Sequence, residues 1–136
     1  MKIILTLIIL LLSKTAYANE SVISATVLRI IDGDTIEVKA HPWPGFNPVI
    51  KIRLLAIDTP ELKGKCPQEK KLAIQAKEYL TSITPSSVML HEVQYGKYAG
   101  RLLAEIHADD INLSNALIEK GYARAYDGGQ RQGWCP

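Results

Sequence analysis

The stretch VIKIRLLAIDTPELKGKCPQEKK, residues 49–71, carries the junction on which the fold turns. Val49 to Ile57 is rich in aliphatic and β-branched residues and reads as a strand, yet it holds a guanidinium, Arg53, inside an apolar run. Asp58-Thr59-Pro60-Glu61 then breaks the pattern, and Pro67 stands where a helix favours proline, in its first turn. Leu72, Ala76, Tyr79, Leu80 and Ile83 follow at helical spacing and form one apolar stripe. A strand therefore passes through a polar turn into a helix.

Upstream, Ser24–Ile31 and Thr35–Ala40 read as two strands, with Asp32-Gly33 between them as a short hairpin signal. The loop HPWPGFNP, His41–Pro48, holds three prolines and a glycine and excludes regular structure. Downstream, Val88–Val93 and Arg101–His107 read as further strands. Asp109-Asp110 turns the chain into a short helix over Leu113–Lys120, with Asn112 as N-cap and Gly121 as stop. The tail DGGQRQGWCP is Gly-rich and irregular, so Cys135 is the residue expected to hold it down. Five strands with a helix between the third and fourth predict an α+β, mainly β domain: a five-stranded OB-fold Greek-key barrel with two helices. Many such barrels bind oligonucleotides, but fold alone does not assign an activity.

The first residues read as an export signal rather than as part of the fold. A basic start, an apolar run from Ile3 to Leu12 and Ala16-Tyr17-Ala18 predict a signal peptide over residues 1–18 and a folded domain over 19–136. The alternative is an uncleaved membrane tether. Lys2 and Lys14 lie in that segment, so 14 of the 16 basic residues remain against 14 acidic ones. A neutral domain gives no bulk attraction for a polyanion, so any such substrate must be held by local charge. The predicted location is the periplasm or the medium, as a monomer with no stable membrane association once the signal is removed. Export permits a disulfide, and Cys66 and Cys135 are the chain's two cysteines. A bridge is expected over two free thiols, and no Cys/His cluster suggests zinc.

Phosphodiester hydrolysis needs a hard cation, a base for water, and guanidinium groups that grip phosphate oxygens in pairs. The chain offers Asp32 and Asp34 at one turn, Asp58, Thr59 and Glu61 at another, and arginines at 53 and 101. Each piece alone has an ordinary structural explanation. DGDT suits a hairpin turn and DTPE a helix start, while Arg101 suits a strand edge. Arg53 is less ordinary, because a guanidinium in the middle of a strand requires an anionic partner.

Taken in order, VLRIIDGDTIEV, IRLLAIDTPE, KYAGRLLAEI and NALIEKGYARAY resemble the thermonuclease family typified by staphylococcal nuclease, over about Thr26–Tyr126. The tail YDGGQRQGWC resembles a smaller exported bacterial branch. The resemblance implies an OB-fold barrel that uses one Ca²⁺ to cleave DNA and RNA with water, leaving 3′-phosphate ends. It implies that Asp34 and Asp58 supply carboxylates to the ion and Thr59 its carbonyl. It makes Glu61 the carboxylate that activates water, and Arg53 and Arg101 the phosphate-binding arginines. Asp32 is implied only as a turn former or outer group.

Three features depart from the family pattern. The fourth motif, Lys97-Tyr98-Ala99-Gly100-Arg101, is one residue longer, so Lys97 and Tyr98 are possible substrate contacts only. The loop His41–Pro48 is long and apolar; Trp43 and Phe46 are expected to pack over the barrel, with base stacking as the alternative. The family's C-terminal helix has no counterpart after Tyr126, and a Cys66–Cys135 bridge is a plausible replacement. His41, His91 and His107 are scattered and match no role. The second functional reading is a non-catalytic OB-fold module that binds nucleic acid or protein. Strict alternation places Arg53 and Asp58 on opposite faces of a flat strand, while the family resemblance implies that they share one site, so it also implies a bulge, barrel curvature or a strand end near Ala56.

Overall fold

The computed structural model describes residues 20–136; the expected export signal lies outside them. The elements are β1 (Ile23–Ile30), β2 (Thr35–Ala40), β3 (Val49–Leu54), β4 (Ile57–Asp58), α1 (Pro67–Ile83), β5 (Ser87–Tyr95), β6 (Arg101–Ala108), β7 (Ile111–Asn112), α2 (Leu113–Glu119) and β8 (Arg124–Ala125). Strands β3, β2, β1, β5 and β6 pair in that order, and β3 also pairs with β6, which closes a five-stranded barrel. The closing pair is parallel, with Lys51 opposite Arg101 and Arg53 opposite Leu103. The expected barrel with two helices is therefore present, and among the described residues no helix follows α2. None of the described helices is long and apolar enough to cross a membrane.

Alternation along the strands fills the barrel. Ile36, Val38, Ile52, Leu54, Leu90 and Ile106 are fully buried, while Glu37, Lys51 and Arg53 on the same strands face outward. Each of the large aliphatic groups contributes about 1.5–3 kcal/mol by leaving water. Helix α1 lays Ala73, Ala76 and Leu80 against the barrel. Its N-cap is Cys66, and Pro67 opens the first turn as the sequence predicts. In α2, Asn112 Oδ1 accepts from the backbone of Ser114 at 2.9 Å and Asn115 at 3.3 Å, and Gly121 leaves the helix at φ +77°.

The third strand differs from the expected single run over Val49–Ile57. It stops at Leu54, and Ala56 takes a left-handed φ of +63° before β4 begins. Four backbone groups at this break find partners, which together hold a non-glycine residue there. Leu55 N donates to Ala104 O at 2.9 Å, and Leu55 O accepts from Ser114 Oγ at 3.0 Å. Ala56 O accepts from Tyr126 N at 2.9 Å, and Ile57 O from Arg53 Nη2 at 3.1 Å. The short strand β8 then pairs with β4, setting Asp58 opposite Arg124. The bend required near Ala56 is this break.

The hairpin loop also differs in detail. Gly33 is needed for room rather than for a positive φ, since a Cβ there would lie 2.9 Å from Ala76 Cβ on α1. Trp43 and Phe46 do not pack over the barrel. They are 73% and 60% exposed, because the loop closes on itself through Phe46 N to Trp43 O at 3.0 Å. His41 braces the same loop, with its ring nitrogens 2.9 Å from Thr26 Oγ1 and 2.6 Å from Asn47 Oδ1. Cys66 and Cys135 are joined by a disulfide with 6.1 Å between their Cα atoms.

Candidate active site

Four segments converge at one end of the barrel: the β1–β2 loop, the end of β3, the turn after β4 and the start of β6. Their side chains line an open cleft of about 430 Å³ whose walls include Asp32, Asp34, Arg53, Thr59, Glu61 and Arg101. Tyr98 stands at its rim with the Arg101 guanidinium 5.6 Å from the ring centre, and Lys97 Nζ lies 6.0 Å from the same ring.

Arg53 is placed by the register of β3 with β2, which sets it opposite Thr35. Its Nη2 reaches Asp34 Oδ2 at 3.3 Å and also donates to Ile57 O across the break. The guanidinium therefore spans the distance from DGDT to DTPE. Asp34 is fixed from two further sides. Thr35 Oγ1 donates to its Oδ1 at 2.8 Å, and its backbone N–H donates to Asp32 Oδ1 at 3.1 Å. Burial and the neighbouring Asp34 charge push the Asp32 carboxyl up to about 6. Two carboxylates forced together in this way form a negative pocket that a cation relieves.

Asp58 stands apart from the cleft wall. Its carboxylate is 4% exposed and faces the C-terminal tail. Arg131 Nε donates to Asp58 Oδ1 at 2.7 Å, its Nη2 contacts the same oxygen, and Trp134 Nε1 donates to Oδ2 at 3.2 Å. Through Nη1 the same guanidinium reaches Glu61 Oε1 at 2.7 Å, and its side chain also lines the cleft. Both carboxylates raise the Arg131 pKa, with the Glu61 hydrogen bond the largest cause and burial opposing it. The tail is tied down by the disulfide, by Arg124 stacked 3.8 Å from the Trp134 ring centre, and by Arg124 Nη1 donating to Gly133 O at 2.9 Å.

Glu69 is a second residue that the sequence reasoning passed over. Its buried carboxylate accepts from Glu61 N at 3.3 Å and Lys65 N at 2.9 Å, holding the loop on which Glu61 sits. Gly64 leaves it the space, because a Cβ there would fall 2.5 Å from Glu69 Cγ. The signal was available, since Glu three residues after an N-cap commonly bonds back toward the preceding chain. Glu69 also lies close to Cys66 and Cys135, but with both sulfurs spent in the disulfide no thiolate remains to bind a metal. His41, His91 and His107 are absent from the cleft wall.

Asp34, with Asp32 beside it, and the Thr59 backbone offer oxygens at the cleft, while the Asp58 carboxylate is held by Arg131 and Trp134. This all-oxygen set suits a hard divalent cation such as Ca²⁺ better than a thiophilic metal. The crowding of Asp32 against Asp34 is the observation that fits it.

The model of the staphylococcal nuclease homologue family matches residues 51–133, more than half of the chain's 136. The closed barrel agrees with that match, and the chain belongs to this family. It is 30% identical over 126 residues to the uncharacterized protein MJ1439 of Methanocaldococcus jannaschii, covering 74% of this chain and 58% of that protein. It is 28% identical over 109 residues to an uncharacterized endonuclease of Escherichia coli O157:H7, covering 77% and 62%. It is 30% identical over 109 residues to the SPbeta prophage-derived endonuclease YokF of Bacillus subtilis, covering 77% and 35%. The chain thus spans less than two thirds of the length of each of these relatives.

Proposed function

We propose that the chain is an exported, calcium-dependent nuclease that hydrolyses phosphodiester bonds of DNA and RNA with water and leaves 3′-phosphate ends. The observation that carries this reading is the meeting of Arg53, Arg101, Asp34, Thr59 and Glu61 in one cleft, with Asp58 joined to it through Arg131. Membership of the nuclease family and the endonuclease names of two relatives support the same class. The disulfide suits an oxidising compartment, which supports export. The barrel, closed by the β3–β6 pairing, suits a monomer.

In this reading Arg53 and Arg101 grip the non-bridging phosphate oxygens and meet the charge that grows on them. Glu61 takes a proton from water as its oxygen attacks phosphorus, and the bond from phosphorus to O5′ breaks as O5′ takes a proton from solvent water. Asp34, Asp58 and the Thr59 carbonyl would hold calcium, which supplies positive charge beside the phosphate and lowers the pKa of bound water. Purified protein incubated with plasmid DNA and with RNA is expected to degrade both in calcium and neither in chelator. Intact nucleic acid in calcium would exclude the nuclease; single-strand binding without cleavage would favour the binding-module alternative.

The exposed loop adds a substrate-length prediction. Trp43 and Phe46 present free ring faces on a braced turn, and base stacking on such rings contributes about 1–3 kcal/mol per base. Replacing both with alanine is expected to weaken binding of a single-stranded oligonucleotide in chelator at least about fivefold. Unchanged binding by fluorescence anisotropy would remove these rings from substrate recognition.

A further inference from the structure

The tail residue Arg131 makes more contacts with the site's carboxylates than either arginine expected there. One guanidinium spans Asp58 and Glu61, the residues assigned above to metal binding and to water activation. We propose that Arg131 is a positioning residue that serves as a built-in counter-cation: it occupies Asp58 and Glu61, and calcium must displace it to reach Asp58. This rests on the calcium reading of the site given above.

Two observations and one electrostatic argument carry it. The Asp58 carboxylate has both oxygens engaged, one by Arg131 and the other by Trp134, and it does not open on the cleft. An ion that takes Asp58 while Arg131 stays in place would sit within a few ångströms of a fixed positive charge. Repulsion between a single and a double charge at about 5 Å is several kcal/mol even at an effective dielectric constant near 20. Finally, Arg131 is delivered by a segment held by the disulfide and by side chains instead of by strand or helix pairing. Residues 127–136 form no strand or helix, and their main anchors are the disulfide, the Trp134–Arg124 stack, the Trp134–Asp58 and Arg124–Gly133 hydrogen bonds and the Arg131 contacts.

The displaced guanidinium has a destination. Arg131 lines the same cleft as Arg53 and Arg101, so a short swing leaves it facing the place where the phosphate sits. The tail thus exchanges one anionic partner for another, Asp58 before the ion arrives and phosphate afterwards. Lysine would keep the charge but could not span two carboxylates with a planar fork.

Calcium binding to the wild-type protein, to Arg131→Gln and to Arg131→Lys, measured by titration calorimetry without substrate, tests the exchange. Arg131→Gln is expected to bind calcium about tenfold more tightly or better, with Arg131→Lys between it and the wild type. A residue that merely supported the fold would give the opposite sign, since its loss would loosen Asp58 and weaken binding. The double variant Cys66→Ser/Cys135→Ser loosens the tail while keeping Arg131 and every carboxylate of the site, and is expected to tighten binding in the same direction. Equal or weaker calcium binding by Arg131→Gln would overturn the exchange while leaving the calcium site intact. If none of the proteins bound millimolar calcium, both the exchange and the calcium site would fall.

Discussion

Glu61→Gln is expected to lower turnover on DNA by about 10²- to 10⁴-fold, the usual span for loss of a general base. The amide keeps the shape of the side chain and can still accept from Arg131, and the backbone hydrogen bond from Glu61 N to Glu69 is untouched. What disappears is the ability to take a proton. KM and oligonucleotide affinity in chelator should therefore stay near the wild-type values, placing the loss in the chemical step. The side chain is 55% exposed and the substitution conserves volume, so the melting temperature should not move appreciably. Steady-state kinetics beside a melting curve decide it: turnover within about threefold of wild type would strip Glu61 of the water-activating role.

The second large effect concerns stability. Cys66 and Cys135 are 69 positions apart, and the bridge ties the tail to the start of α1. Closing a loop of that length restricts the unfolded chain enough to contribute about 4 kcal/mol in the chain-entropy model. Cys66→Ser/Cys135→Ser is expected to lower the melting temperature by roughly 10–20 °C for a domain of this size. Activity measured well below that temperature separates the two uses of the bridge. A fall of less than about 3 °C would mean that Arg131, Trp134 and Arg124 hold the tail without help.

Most of the barrel was legible because its physics is local and periodic. Val38, Ile52 and Ile106 alternate with polar neighbours, and the break before α1 is announced by Asp58, Pro60 and Pro67. The need for a bend, bulge or strand end near Ala56 followed from strand parity together with the site roles that the family resemblance implies. Its form did not, because alanine has no preference for a positive φ and is held there by Ala104, Ser114 and Tyr126, all distant in sequence. Trp43 and Phe46 were expected to pack over the barrel, but a turn bonded to itself keeps them exposed. Arg131 left no signal at all. It is one arginine in a Gly-rich run, and its partners lie 70 and 73 positions away. Side chains recruited across such separations have no period, spacing or cap by which to be found.

The near-contact between Gly33 and Ala76 has a consequence for how the site tolerates change. The missing side chain at position 33 lets the acidic loop rest directly on helix α1, so the two backbones are as close there as a single methyl group allows. Sterically, positions 33 and 76 are one locus shared by two segments. Bulk added to either must be accommodated by the other or by moving Asp32 and Asp34. A small, chemically inert alanine on a buried helix face is thereby part of the gauge that sets the height of the acidic loop.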